Sequence, residues 1–243
     1  MVLWYRQPGV QWLDAMPIGN GIMGAMVFGG VPQERIALNE SSFWSGRPHD
    51  YDDPNAGRFF AQIRDLVFAG RFQDAEKMAD THFYGVPAAQ QAYQPLGDLL
   101  LSFDGVQAVE DYRRELDMET GVAKVCYRVG DAVFTREVFL SYPDRVMVVR
   151  ITADKPGRVS VQAQFRSPYL DGATAKDDSL VVEGCWKGPM KPENWLIAKV
   201  EGKGIRFRAV LRALAEGGRS EVAGGVGGIG PEKQRRALRV RRP

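Results

Sequence analysis

A carboxylate, an amide and an indole stand close together in the stretch Asn39–Trp44. Hydrolysis of a glycosidic bond requires two acidic functions, one to protonate the leaving oxygen and one to activate water or to attack the sugar. The chain contains 30 aspartates and glutamates, so a carboxylate becomes a candidate only beside a group that can hold a sugar. An indole face can stack on a sugar ring, and Asn, Glu and Arg side chains can hydrogen-bond its hydroxyls. The candidates for contact with the edge of a substrate are therefore Asn39, Glu40, Trp44 and Arg47.

The same residues also have a structural interpretation. Trp44 could pack at a corner between a strand and a helix, and Glu40 could form an ion pair with Arg35 or Arg47. The sequence favours this structural role over substrate contact, and it favours catalysis by Glu40 least.

Other residue types that carry chemistry do not form a recognisable site. His49 and His82 are too far apart to suggest a metal pair, and His82 fits a packed core position on a helix. The serines at 41, 42 and 45 have no histidine and acid in a triad arrangement. The glycine run at 19–24 precedes a strand rather than a helix, which excludes a dinucleotide site. We therefore expect no metal and no cofactor.

The elements around the candidate residues are strands with one helical insert. Met23–Phe28 and Arg35–Leu38 flank a short glycine and proline turn, which is typical of a β-hairpin. Apolar residues then recur at helical spacing over about 54–84, with Gly70 between two stripes. From residue 94 onward, apolar and polar residues alternate, as in 123–129, 158–166 and 205–212. One apolar and one solvated face per strand indicates antiparallel sheets packed face to face.

Four segments share their order and spacing with a known family. They are PIGNGIMGAMVFGGVPQERIALNESSFWSGRP at 17–48, QPLGD at 94–98, YRREL at 112–116 and TREVF at 135–139. Together they resemble the N-terminal domain of glycoside hydrolase family 95, the α-L-fucosidase family, over roughly 3–218. The resemblance implies a mainly β fold, a large antiparallel two-sheet super-sandwich like that of mutarotases, with a helical hairpin insert. It also implies a fucosylated glycan as the substrate of the whole protein.

The resemblance places the chemistry of the family outside this sequence. Family members are inverting enzymes whose acid is a glutamate and whose water is activated through asparagine and aspartate, all in a later helical (α/α) barrel. No residue here matches those positions, so we expect no catalytic residue and no activity from this chain alone, which lacks the barrel. The alternative is a non-catalytic carbohydrate-binding or structural sandwich.

A module that leans on a barrel should expose a docking face. The apolar side chains of two loops are the candidates for it, and we expect at least two of their four aromatic residues to be largely exposed. These residues are Phe43, Trp44, Trp186, Pro189, Met190 and Trp195.

The last 25 residues differ from the rest in composition. Residues 219–243 carry seven basic and two acidic groups, a net charge of +5, so residues 1–218 carry −3 of the total of +2. A mildly acidic body excludes the charge pattern of a nucleic-acid-binding protein. The segment is glycine-rich and then basic, which favours a disordered tail or a shifted reading frame, and a domain boundary at 218.

Neither membrane insertion nor secretion is indicated by the sequence. No apolar run approaches the roughly 20 residues needed to cross a bilayer. The opening MVLWYRQP lacks a basic segment followed by an apolar one, so the sequence as written predicts a cytoplasmic protein. A secreted protein with an incomplete start would have the same appearance.

Overall fold

The computed structural model describes residues 1–45, 50–86, 92–106, 108–186, 204–223 and 237–241 of the 243-residue chain. The chain divides into two compact units. The larger unit comprises Met1–Phe43, Gln94–Cys185 and Arg206–Pro243, and the smaller comprises Trp44–Tyr93 and Trp186–Ile205.

All the strands named here belong to the larger unit, and every pair of neighbours is antiparallel. They are β1 (Val2–Tyr5), β2 (Met16–Gly19), β3 (Met23–Val27), β4 (Gln33–Glu40), β5 (Gly97–Phe103), β6 (Glu110–Asp117), β7 (Val122–Val129), β8 (Ala132–Ser141), β9 (Val146–Ala153), β10 (Val161–Arg166), β11 (Leu170–Lys176), β12 (Ser179–Cys185), β13 (Arg206–Arg212), β14 (Arg219–Ala223) and β15 (Ala237–Arg241).

The strands form two large sheets and one small sheet. A five-stranded sheet has the order β1-β6-β7-β8-β9, and a seven-stranded sheet has the order β14-β15-β10-β5-β4-β3-β2. The three consecutive strands β11, β12 and β13 form a separate sheet with the order β11-β12-β13. Short reversals join the successive strands β6 to β9, with Gly121 and Gly130 at positive φ in two of them. Such turns let consecutive strands pair as a meander.

The core lies between the two large sheets. Val27 and Ile36 from the seven-stranded sheet and Ala123 and Val138 from the five-stranded sheet are completely buried in one cluster. These residues occupy the inward positions of alternating strands, so each sheet turns one apolar face to the other. The predicted antiparallel two-sheet sandwich is confirmed. The separate three-stranded sheet was not predicted.

The segment expected to be a disordered tail contains two strands. β14 and β15 pair with each other, and β15 also pairs with β10 in the seven-stranded sheet. The expectation of disorder therefore does not hold for Arg219–Ala223 and Ala237–Arg241. The rest of 219–243 lies outside the described residues. Backbone pairing with a sheet edge satisfies hydrogen-bonding groups even where a sequence has little apolar content.

The smaller unit contains the predicted helical hairpin. A 3₁₀ turn at Ala56–Phe59 leads into α1 (Phe60–Phe68), and α2 (Phe72–His82) follows after Gly70, which has φ +71°. A positive φ favours glycine, which has no Cβ to clash, and it reverses the chain between the helices. The hairpin predicted over about 54–84 is confirmed.

The hairpin buries little of its apolar surface. Ala75 is the buried residue of the two helices, whereas Phe68 is 81% exposed and Phe72 is 66% exposed. His82 is also exposed and stacks on the Phe59 ring with centroids 4.1 Å apart. The expectation of a core histidine at 82 was therefore wrong. None of the helices described in the structure is long and apolar enough to cross a membrane.

Candidate functional site

Asn39 and Glu40 end β4, opposite the start of β3. Asn39 pairs with Gly24 and Glu40 with Met23, and both side chains are half-buried. This register places the two predicted polar residues at one end of the seven-stranded sheet, where the chain leaves the sandwich.

The Glu40 carboxylate holds the turn that follows β4. Its Oε2 accepts hydrogen bonds from the Ser42 backbone N–H at 3.0 Å and from the Ser42 hydroxyl at 2.6 Å. The Phe43 N–H donates to the Glu40 carbonyl oxygen at 3.1 Å, which closes the turn. A side-chain oxygen that accepts a hydrogen bond from the backbone N–H two residues later stabilises a chain reversal, as in the turns that aspartate and asparagine form. This geometry supports the structural interpretation of Glu40.

Arg35 and Arg47 were the two expected ion-pair partners of Glu40. Arg35 forms an ion pair with Asp98, with Nε and Oδ1 2.9 Å apart. Arg47 lies outside the described residues, so both its predicted pairing and its predicted contact with a substrate stay predictions.

Trp44 is in the smaller unit and does not occupy a buried corner. Its side chain is 41% exposed, and its ring lies 5.1 Å from the ring of Tyr93, which is also 41% exposed. Trp44 is thus partly exposed and partly packed on Tyr93, so both its predicted packing role and its predicted contact with a substrate stay predictions. Tyr93 is a residue that the sequence interpretation did not single out.

Two of the expected docking residues are interior residues. Phe43 is 2% exposed, with its ring 5.6 Å from Tyr169 and 5.5 Å from Phe207, and Trp186 is 2% exposed as well. Phe43 and Trp186 are therefore not part of an exposed docking face, whereas Trp44 is partly exposed. Pro189, Met190 and Trp195 lie outside the described residues, so the exposure of at least two of the four aromatic residues stays a prediction.

A buried ion pair that the sequence interpretation missed joins the two large sheets. Glu34 on β4 and Arg136 on β8 are completely or almost completely buried, and Arg136 Nη2 pairs with Glu34 Oε2. Glu34 Oε1 also accepts hydrogen bonds from the backbone N–H of Gly29 at 2.8 Å and of Arg35 at 3.0 Å. Arg136 Nη2 donates to the Gly30 carbonyl at 2.8 Å. We call Glu34, Arg136 and these glycines the inter-sheet clasp.

Two further side chains on β6 support the clasp. The Tyr112 hydroxyl donates to the Gly29 carbonyl at 2.7 Å. Arg114 is 2% exposed, and it donates to the carbonyl oxygens of Gln7 at 2.8 Å and Asp14 at 2.6 Å. These bonds connect the N-terminal segment and the turn between β3 and β4 to the opposite sheet.

The clasp and the two side chains that support it come from three of the sequence segments that carry the family resemblance. Tyr112 and Arg114 belong to YRREL, Arg136 belongs to TREVF, and Glu34 belongs to the longest segment. On β8 the buried positions alternate through Phe134, Arg136 and Val138, so an arginine occupies an inward position. A polar residue at an inward position of an alternating strand was the signal that could have located the clasp.

The residues of the fourth segment, QPLGD, also have structural roles. Asp98 forms ion pairs with Arg35 at 2.9 Å and with Arg166 at 2.8 Å. The Tyr169 hydroxyl donates a hydrogen bond to the Gln94 side-chain oxygen at 2.7 Å. Gly97 has φ +147°, and a Cβ at this position would lie 2.4 Å from the Arg166 carbonyl oxygen. The segment therefore positions β5 against β4 and β10 rather than presenting a reactive group.

The electrostatics of the clasp bear directly on catalysis. Burial raises the pKa of the Glu34 carboxyl, while the Arg136 guanidinium and the backbone N–H donors oppose this shift. Burial also raises the pKa of Tyr112. A general acid of a glycosidase needs a raised pKa, yet it must also reach the substrate. Glu34 is 0% exposed, so its perturbed carboxyl is sealed from any ligand.

Metal binding finds no support in the described part of the chain. Among those residues, no group of three or more His, Cys, Asp or Glu side chains lies close enough together to hold an ion.

Comparison with known proteins identifies the family. Residues 3–233 match the model described as "Glycosyl hydrolase family 65, N-terminal domain". The chain belongs to this family. The match covers most of the chain, and it extends past the boundary expected at 218 to include β14.

Several curated relatives carry fucosidase names. The chain is 35% identical to "Alpha-L-fucosidase 2" of Arabidopsis thaliana over 95% of its own length. It is 30% and 31% identical to the "Probable alpha-fucosidase A" proteins of Aspergillus oryzae and Aspergillus niger, over 58% and 63% of its length. The predicted resemblance to the N-terminal domain of the α-L-fucosidase family is confirmed, although the matching model carries the number 65 rather than 95.

The chain corresponds to a minor part of these relatives. It spans 28% of the Arabidopsis protein and 20% of each Aspergillus protein.

Proposed function

We propose that this chain is the N-terminal β module of an inverting α-L-fucosidase-like glycoside hydrolase that acts on fucosylated glycans, and that the module supplies no catalytic residue. The observation that carries the proposal is the match of residues 3–233 to an N-terminal domain family, together with the fucosidase names of the relatives. Most of the length of those relatives has no counterpart in this chain, which supports a catalytic domain elsewhere.

The arrangement of the carboxylates supports the absence of catalysis in the module. Inversion needs an acid and a base about 6.5–9.5 Å apart on opposite sides of the scissile bond, with room for water. Among the described residues, the carboxyl with a raised pKa is that of Glu34, which is sealed in the clasp. Glu40, the sequence candidate, uses Oε2 to hold the Ser42 turn.

In the complete protein, the module would brace a helical barrel and contribute at most to the rim of its pocket. The partners proposed for the whole protein are therefore a fucosylated glycan and, within the same chain, the barrel. The rigid sandwich suits such a bracing role because its clasp and core tie both large sheets into one body.

The first experiment is to read the coding sequence for about a thousand bases past the codon for Gly218. We expect a helical-barrel sequence in one of the three frames. A stop codon with no remnant of such a domain would favour a free-standing carbohydrate-binding or structural module instead.

The second experiment is an activity assay of the purified 243-residue chain on nitrophenyl-α-L-fucoside and 2′-fucosyllactose. We expect no turnover, because loss of each proton-transfer group typically costs about 10²–10⁴ in rate. Glu40→Gln and the exposed control Glu119→Gln complete the design. Turnover that Glu40→Gln abolishes and Glu119→Gln preserves would show that the module is catalytic.

A further inference from the structure

Two aromatic residues of the smaller unit are held opposite each other by their backbones. Trp44 and Tyr93 form an antiparallel β-bridge. On one side of it, the Ser45 N–H donates to the Ala92 carbonyl at 2.8 Å, and the Ala92 N–H donates to the Ser45 hydroxyl at 2.9 Å. Two hydrogen bonds beside the bridge fix the register of the pair. The two side chains are therefore directly opposite each other on the same face.

The direction of the Trp44 side chain is set by its neighbours in the sequence. Phe43 and Ser45 are each 2% exposed, whereas Trp44 between them is 41% exposed. This alternation is that of an extended chain with one buried and one outward face. Since both neighbours are anchored in the interior, the indole cannot turn inward without disturbing them.

The two rings together make a small aromatic surface. Their centroids lie 5.1 Å apart and their planes are inclined by 54°. Tyr93 is 41% exposed, like its partner. We call this pair the aromatic platform.

We propose that the aromatic platform binds one sugar ring of a glycan through the C–H face of the pyranose. The proposal rests on the proposed function for the identity of the glycan. A pyranose presents C–H groups on one face and hydroxyls around its rim, which matches aromatic faces bordered by polar groups. The bridge supplies preorganisation, so few degrees of freedom are lost when the ligand binds.

The size of the platform favours a sugar over a protein partner. A stable protein interface buries about 800 Å² on each partner, and two partly exposed rings offer only a fraction of that area. Of the residues beside them in sequence, Phe43 is buried, and Ser45, Ala92 and Gln94 are small or polar. A single ring-sized ligand is therefore the better fit.

The test is saturation-transfer NMR of the 243-residue chain with 2′-fucosyllactose, lactose and L-fucose, followed by titration calorimetry. We expect transfer to the sugar C–H protons. Transfer to L-fucose would assign the platform to the fucosyl ring, and transfer to lactose would assign it to the core of the glycan. Trp44→Ala should weaken binding at least tenfold, Tyr93→Ala should weaken it severalfold, and Trp44→Phe should retain part of it.

Trp12→Ala is the matched control, because Trp12 is 49% exposed in the larger unit and should leave binding unchanged. Circular dichroism and thermal melting show whether each variant is folded. The proposal is overturned if no sugar receives saturation, or if a folded Trp44→Ala chain binds as the native chain does. A dimer in light scattering that Trp44→Ala dissociates would assign the surface to protein contact and would also overturn it. None of these results depends on the coding sequence past Gly218, so failure of the platform is distinct from failure of the proposed function.

Discussion

The interior of the sandwich and the surface of the helical hairpin each contain exceptions to the usual distribution of polar and apolar side chains. The sandwich buries two arginines and a glutamate, Arg114, Arg136 and Glu34. The hairpin exposes phenylalanines, with Phe60 at 55%, Phe68 at 81% and others on both sides of the turn. The comparison teaches that polarity alone does not tell which residues of this protein hold it together.

The two regions also differ in what a substitution would leave behind. Removing one member of the inter-sheet clasp leaves a charge or a polar group buried without its partner, which costs several times more than the pair itself contributes. Removing an exposed phenylalanine of the hairpin leaves nothing unsatisfied. The stability of the chain should therefore be sensitive to its few buried polar residues and insensitive to several large apolar ones.

The largest effect is expected from Arg136→Ala. The substitution strands the Glu34 carboxylate in the interior, and breaking a buried ion pair in this way costs ~3–5 kcal/mol of unfolding free energy. Urea denaturation followed by circular dichroism measures the loss. Arg128→Ala is the control, because Arg128 pairs with Glu110 on the exposed surface and should change stability far less. Equal losses in the two variants would refute the special role of the clasp.

The next effect is expected from Gly29→Ala. Gly29 has φ +78°, and an added Cβ would lie 2.6 Å from the Tyr112 hydroxyl. The left-handed backbone alone costs an alanine ~1–2 kcal/mol, and displacement of Tyr112 adds to this. In the control Gly121→Ala, φ is +68° but no atom lies within 4 Å of the new Cβ. Gly29→Ala should therefore have the lower denaturation midpoint, and the reverse order would show that Tyr112 does not constrain this turn.

A smaller effect is expected from Tyr112→Phe. The substitution removes the hydrogen bond to the Gly29 carbonyl and keeps the ring, so we expect a loss of ~1 kcal/mol. Tyr142→Phe, at a residue that is 66% exposed, should leave the free energy of unfolding unchanged. The urea denaturation midpoints of the two variants test this prediction, and an unchanged midpoint for Tyr112→Phe would show that the Tyr112 hydroxyl does not support the clasp.

The smallest effect is expected in the hairpin. Phe68→Ser should change the unfolding free energy by no more than ~0.5 kcal/mol, as for surface substitutions in general. Ala75→Leu is the contrasting variant, because Ala75 is 4% exposed and added methylenes in a packed site cost ~1–3 kcal/mol. Thermal melts of the two variants test this order. A strongly destabilising Phe68→Ser would place Phe68 within the cooperative core of the hairpin.

The sequence by itself determined the helical hairpin, many of the strands and the packing of two antiparallel sheets, but neither the three-stranded sheet nor the strands after residue 218. Alternation with period two in 123–129 and 158–166 produced strands β7 and β10, and helical spacing around Gly70 produced α1 and α2. These patterns are local, since a side-chain period follows directly from backbone geometry. The quoted segments were sufficient to indicate the α-L-fucosidase family, which the comparisons then confirmed.

Only the tertiary structure decided what the individual side chains do. Within β4, Glu34 is sealed in an ion pair and Glu40 holds an exposed turn, although both are glutamates on one strand. Phe43 is buried and Trp44 is exposed, although they are adjacent aromatic residues. Burial depends on partners that are distant in sequence, as Arg136 is for Glu34. The residues around Glu34 in the sequence therefore do not indicate which side chain will bury it. The physical reason is that desolvation and long-range pairing exist only once the two sheets have met.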